Sequence, residues 1–281
     1  MATMSLQILL PLHTYPDANC ETVLSQATRV AAYLEGEVHA VVMAAKFPPV
    51  SSLLGDLILD VPSLLAGART RSREKGAALL QSLTVQAKAD GVRTRSSEID
   101  CFPATFGDRV AVAGRYYDLV LTGLTSSDNV LRLTAEAIVF GAGRPVMLLP
   151  EQHVIGDLGH VMIAWDGSRV AAQAVNNARI ILERSTKVTV AVVTDEKVLP
   201  DHSLGPRLTD YLAAHGLTVE HVDIQSGGRS VAGVLQEEAA MLGAGILVMG
   251  GFGHSRMRDF VLGGVTRGIF EGLRMPVLLS H

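Results

Sequence analysis

The chain has 281 residues, 48% of them hydrophobic and 19% charged, a balance that excludes a disordered polypeptide and leaves room for two domains of ordinary size. Lys and Arg number 24 against 28 Asp and Glu, for a net charge of -4, and with no basic run a general nucleic-acid binder is excluded. The two cysteines, Cys20 and Cys101, form no CxxC and no Cys/His cluster of metal-ligand spacing, so no metal ligand set is assigned and a reducing cytoplasm is the expected location.

The first apolar run, residues 6–12, has no basic segment before it and no small-residue cleavage pattern after it, and reads as a strand rather than a signal peptide. In chain order there follow a helix over 17–34, a strand over 38–43, a long helix near 72–89, a strand over 93–99, a helix over 104–115, a strand over 119–122, a helix over 130–140 and a strand over 145–149. The extra segment 46–68 carries Phe47, Leu53, Leu54, Leu57, Ile58 and Leu59; it reads as a loop tucked over its own core, with a lid or an interface as the alternatives. Asp56, Asp60 and Pro62 interrupt its apolar stretch, which excludes a membrane span there.

After residues 151–159 the order restarts. A strand over 161–165 is followed by Ser168 as a helix cap and by Val170, Ala174, Val175, Ala178, Ile181 and Leu182 at helical spacing. Next come a strand over 188–193, a helix over 204–215, a half-buried strand over 217–224, a helix over 231–242, an apolar strand over 245–249, a glycine-rich loop, a helix over 265–273 and a strand over 276–279. Continuous apolar strands alternating with helices predict a parallel sheet covered on both faces, with ligands collecting at the strand carboxyl ends where the strand order reverses.

The two halves echo each other. QILLPLH (7–13) and VMIAWDG (161–167) open them, and GRPVMLLP (143–150) and RMPVLLSH (274–281) close them. Similarity at two places in the same order predicts a duplication, with domains at 1–150 and 151–281. Each half ends in a short apolar strand with an open edge, and pairing the two edges would join the halves as a pseudo-two-fold dimer within the chain. Association of whole chains into a homodimer stays open, protein partners are unspecified, and neither nucleic acid nor membrane is expected as a partner.

The string that bears on function is GGFGHSRMRDFVLGGVTR, residues 250–267, with Gly250 and Gly253 after a strand and Gly263 and Gly264 before a helix. Glycines leave room for a phosphate chain to approach backbone amides, and the helix start directs unpaired N–H groups at an anion. The spacing Gly250-x2-Gly253-x9-Gly263 resembles the ATP-binding loop of the universal stress proteins, G-x2-G-x9-G followed by Ser or Thr, and the flanking strand and MPVLLS are similar to that family too.

The resemblance implies two tandem five-stranded parallel-sheet domains of the open, doubly wound, adenine nucleotide alpha hydrolase-like kind, with helices on both faces. It implies ATP as the ligand, with Mg2+ as its companion. Asp166 would meet the adenine end and Val193 would line the adenine pocket. Gly250, Gly253, Gly263, Gly264, Val265 and Thr266 would surround ribose and phosphates. Asp166 has a second reading as the cap of the next helix, which needs no ligand. Gly264 departs from the pattern: a hydroxyl is missing, worth about 0.5 to 1.5 kcal/mol, so weaker binding is expected rather than none. Thr266 and Arg256 are its substitutes, although Arg256 reads equally as a solvated loop charge; His254 reads as one.

The first half lacks these features. His13 stands at the position of Asp166, Ser126 at that of the second loop glycine, and Gly123 to Pro145 spans 22 positions against 26 from Gly250 to Pro276. It reads as a nucleotide-free partner domain.

The expected function is a cytoplasmic stress-response protein that binds ATP in its second half and signals through occupancy. The alternative is a structural or interaction protein of the same fold whose loop is only a turn. An enzyme is disfavoured, because no Ser/His/Asp or Cys/His arrangement is arguable and the loop lacks the Gly-Lys-Ser/Thr ending of the P-loop; no catalytic residue is assigned.

Overall fold

A computed structural model describes residues 5–48, 60–153, 155–196, 201, 203–251 and 263–280. The first half contains β1 (Gln7–Leu12), α1 (Glu21–Tyr33), β2 (Glu37–Ala45), α2 (Val61–Ala89), β3 (Arg93–Cys101), a short 3-10 turn (Pro103–Thr105), α3 (Phe106–Gly114), β4 (Leu119–Leu124), α4 (Asn129–Gly141) and β5 (Val146–Pro150). The second contains β6 (His160–Ala164), α5 (Arg169–Asn177), α6 (Arg179–Leu182), β7 (Lys187–Val193), α7 (Leu204–Ala214), β8 (Val219–Ile224), α8 (Val231–Leu242), β9 (Ile246–Gly250), α9 (Gly264–Glu271) and β10 (Val277–Ser280).

The strands form one ten-stranded sheet in the order β3-β2-β1-β4-β5-β10-β9-β6-β7-β8. Every neighbouring pair is parallel except β5 with β10, which run antiparallel with Val277 opposite Leu148, Leu278 opposite Met147 and Leu279 opposite Val146. The two C-terminal strands thus close each other's edges, as the open-edge argument requires. The strands at the outer edges are the polar ones. RTRSSEIDC in β3 is largely exposed and VEHVDI in β8 partly so, whereas β1, β4, β5 and β10 are buried almost throughout, and charged residues on an outer strand discourage pairing with another chain.

Burial on both faces explains why the inner strands are unbroken apolar runs. One face carries Leu10, Leu12, Leu121 and Ile163 against α1, α2, α5, α6 and α7; the other carries Leu9, Val120, Met162 and Leu247 against α3, α4, α8 and α9. The linking segment is fastened to α1: Gln26 donates to the carbonyls of Pro150 and His153, both at 2.7 Å, and Arg29 donates to that of Ile155 at 3.1 Å.

Two elements differ from the sequence reading. The helix expected through Leu182 divides at Ala178, where the consecutive polar residues Asn176 and Asn177 interrupt the ladder; the apolar face continues unbroken through Val175, Ala178, Ile181 and Leu182. The end of the segment read as a loop is helical. Asp60 caps α2 by accepting from the Ser63 N–H at 3.1 Å, and Pro62 sits in its first turn, both good signals of a helix start. Leu53, Leu54, Leu57, Ile58 and Leu59 lie outside the described residues. Among the described residues no helix is long and apolar enough to cross a membrane.

Candidate functional site

In the second half β6 lies between β9 and β7, so the connections leaving its two sides diverge and open a crevice at the strand carboxyl ends. A cleft of about 240 Å³ occupies that place. Its floor is Ala164, Ala191, Val193 and Met249, and its walls are the first turns of α5, α8 and α9. Six of the residues singled out in the sequence border it: Asp166, Val193, Gly250, Gly263, Val265 and Thr266. Gly264, the first residue of α9, adjoins Gly263. Gly253 lies outside the described residues, together with His254 and Arg256.

The glycines have different physical causes. A Cβ at Gly250 would stand 2.7 Å from both the Ala171 nitrogen and the Val170 carbonyl carbon, because the first turn of α5 crosses the end of β9. Backbone cannot yield there as a flexible side chain can, so the fold itself requires this glycine. At Gly263 and Gly264 a Cβ would meet nothing within 4 Å among the described residues. Gly263, at φ -58 and ψ 143, also has an ordinary backbone conformation. Among the described residues no packing contact requires glycine at these two positions.

Asp166 and Ser168 divide the work of starting α5. Ser168 is the cap, its hydroxyl accepting from the Ala171 N–H at 3.2 Å, while an Asp166 carboxylate oxygen accepts from the Ser168 N–H at 3.0 Å. The capping role considered for Asp166 therefore belongs to Ser168. Nearby, Asp195 accepts from the backbone N–H groups of Ser226 and Gly227 at 2.7 and 2.8 Å, bonds that tie the loops after β7 and β8 together and hold its carboxyl below the usual range. Glu196, next in sequence, lines the cleft, as do Val231 and Leu235 of α8. Periodicity marks Val231 and Leu235 only as core positions, and a single exposed glutamate in a loop gives no signal of its own. Among the described residues no group of three or more His, Cys, Asp or Glu is placed to hold a metal ion.

Helix α9 begins at Gly263, which has no side chain to cap it, and among the described residues no side-chain cap is seen; its leading N–H groups and positive dipole end border the cleft.

The equivalent place in the first half is lined differently: a cavity of about 460 Å³ lies between Tyr15 and Pro16 after β1 and the first turns of α3 and α4. Ile8 pairs with Val38 and Leu119 as Val161 pairs with Val188 and Ile246, which aligns His13 with Asp166 and Gly123 with Gly250. His13 is 2% exposed and meets the Phe106 ring edge-on at 4.8 Å. Phe106, fully buried, opens α3 where the smaller Val231 opens α8. Burial pushes the His13 imidazole down to a pKa of about 4, so the ring is neutral. Helix α4 carries its own anion: the Asp128 carboxylate accepts from the N–H groups of Val130 and Leu131 at 2.7 and 3.2 Å. At the position of Asp166 a neutral imidazole packs on an aromatic ring, and an internal carboxylate takes the helix N-terminus.

No protein-family model matches the chain, and no curated protein is significantly similar to it. Solved structures are. A universal stress protein from Archaeoglobus fulgidus DSM 4304 superposes with a TM-score of 0.70 at 16% identity, covering 99% of each chain. The chain has the universal stress protein fold. A provisionally assigned universal stress protein from Pseudomonas aeruginosa UCBPP-PA14 and a functionally unknown protein from Pseudomonas aeruginosa PAO1 align with TM-scores of 0.57 and 0.55, at 15% and 16% identity, each match covering 98% of this chain and 92% of the other. The likeness extends over both halves, so the universal stress protein fold accounts for the whole sheet rather than for one half of it.

Proposed function

We propose that this chain is a tandem universal stress protein that binds one ATP, in the cleft of residues 151–281, and uses occupancy to change its shape or partners. Residues 1–150 form the nucleotide-free partner domain. The observation that carries the reading is the contrast between two helix starts: α4 is capped by the Asp128 carboxylate, whereas α9 starts at a bare glycine beside an open cleft. An anion at a helix N-terminus satisfies unpaired N–H groups and the dipole together. In this reading Gly263, Gly264, Val265 and Thr266 receive the phosphates, together with Gly253, and Val193 packs on the adenine. Asp166 takes the adenine end, and Gly250 lets the first turn of α5 cross the end of β9 beside the cleft. Mg2+ would arrive with the phosphates, since it keeps several waters and takes one or two carboxylates at most; Asp166 and Glu196 are the carboxylates bordering the cleft. The proposed setting is the cytoplasm under stress, and the proposed signal is occupancy rather than turnover.

A structural protein that binds nothing has one observation in its favour, the purely steric need for Gly250. The open space at Gly263 and Gly264 has no such explanation. Mass analysis of small molecules released from freshly purified, heat-denatured protein separates the two readings. ATP or ADP near one equivalent per chain is expected, and its absence both there and after incubation with ATP would favour the scaffold.

A further inference from the structure

On the opposite face of the sheet from the nucleotide cleft, a groove of about 480 Å³ separates α5 and α6 from α7. Val175, Leu182, Leu208 and Leu212 form its base, and Trp165 closes the end nearest the carboxyl terminus of β6. The Trp165 indole donates to the Leu204 carbonyl at 3.1 Å. Gly167, with φ 72, brings the backbone so close to Leu204 that a Cβ would stand 2.7 Å from its Cδ2.

The first half does not keep this space. There α2, with 29 residues, packs along α1 and buries Leu79 and Leu83 to 5% and 2% exposure. The shorter α7, with 11 residues, rests on β7 and β8 and leaves the groove wall apolar and open, with Tyr211 54% exposed. Ligand sites between helices are of this size and character, mainly apolar with a few polar groups at the mouth. The charged groups here are Arg179 and Arg207 against the single acid Glu183, which is engaged with Arg179 at 3.0 Å, beside the polar Asn176, Tyr211 and His215. Arg207 faces Asp201 at a longer 3.4 Å, an exposed contact of small energetic weight that a ligand head can replace.

We propose that this groove is a second binding site, for a free amphiphile with an apolar body and an anionic head of the carboxylate type. The body lies on Leu208 and Leu212 against Trp165, and the head meets Arg207. The proposal stands apart from the nucleotide reading, because none of Leu208, Leu212 and Arg207 borders the cleft.

Trp165 is the only tryptophan of the chain and borders both the groove and the edge of the nucleotide cleft, so its emission reports the groove when the titration is run without nucleotide and the response is assigned by the groove variants. The test titrates the full chain with decanoate below its micelle concentration and with 1-decanol as the headless control. A saturable, one-site change with decanoate is expected. Ala172→Phe, on an exposed wall position, should weaken it about tenfold, the equivalent of two buried methylenes lost. Arg207→Gln should weaken decanoate and leave decanol unchanged. No saturable change with decanoate overturns the site, as does an unchanged Ala172→Phe variant with native circular dichroism. Equal decanoate binding by Arg207→Gln overturns the anionic head. Emission that shifts with protein concentration alone, in step with dimer formation, gives the groove to a second copy of the chain and also overturns the proposal.

Discussion

A methyl group added at Gly250 meets backbone of α5 at 2.7 Å, and the same group at Gly263 meets nothing within 4 Å among the described residues. Gly250→Ala should therefore destabilise the protein by about 1 to 3 kcal/mol, the usual cost of overpacking, and Gly263→Ala should leave the denaturation midpoint nearly unchanged. Chemical denaturation of both variants checks the pair; equal losses would mean that the two glycines are alike after all. The same open space makes Gly264→Ser sterically free. It should strengthen ATP binding by about 0.5 to 1.5 kcal/mol, one neutral hydrogen bond, measured by calorimetry, and a weaker affinity would place the phosphates elsewhere. His13 supplies a pH dependence. Its folded pKa, about 4, lies below the unfolded value of 6.5, so the folded state binds fewer protons; the stability it contributes is present above pH 6.5 and is lost as pH falls toward 4. Between pH 7 and about pH 4.5 that loss is about 2 to 3 kcal/mol. His13→Leu should show a correspondingly smaller drop in unfolding free energy over the same interval, and identical drops would show that the ring is not held neutral. The sequence alone marks His13 as a departure from Asp166, but its burial against Phe106 is legible only in three dimensions, because the two residues are brought together by different strands.

Helix starts carry the difference between the two halves at the next scale. Asp128→Ala removes the carboxylate that caps α4 and should lower stability by about 0.5 to 2 kcal/mol, read from thermal or chemical unfolding; no loss would remove the argument that α4 needs an anion of its own. The inner strands were legible in the sequence because burial on both faces leaves a continuous apolar signature, visible in β1, β4, β9 and β10. The helix starts were less so. Ser168 reads correctly as a cap, whereas Asp60 and Pro62 read as interruptions of an apolar stretch rather than as a helix start. The division at Ala178 is a local hydrogen-bonding event inside an unbroken apolar stripe, which periodicity does not register. Of the residues that border the cleft, the glycine spacing marks the start of α9, and the family resemblance singles out Asp166 and Val193. The α8 wall, Val231 and Leu235, was missed because wall and core positions share one pattern.

At the scale of the whole molecule, the antiparallel seam between β5 and β10 joins two parallel sets into one sheet, and the core on each face runs across it. This seam was foreseeable from two apolar strands with unpaired edges. Leu278, buried and opposite Met147, sits between β5 and β9, so Leu278→Pro removes a ladder donor whichever neighbour it serves and should destabilise both halves together. Loss of cooperative unfolding, or a large fall in midpoint, is the expected outcome, and an unaltered transition would mean that the seam contributes little. The central claim is that one half offers a helix start to phosphate while the other has closed its own with a carboxylate. Gly263→Asp transfers the Asp128 device to α9: a carboxylate at the cap position should raise stability slightly and repel the phosphates. Titration calorimetry of ATP against the intact wild-type chain and this variant is the direct measurement. The account predicts one site per chain in the wild type and its loss in Gly263→Asp; two sites per chain, or one site with unchanged affinity in the variant, would contradict it.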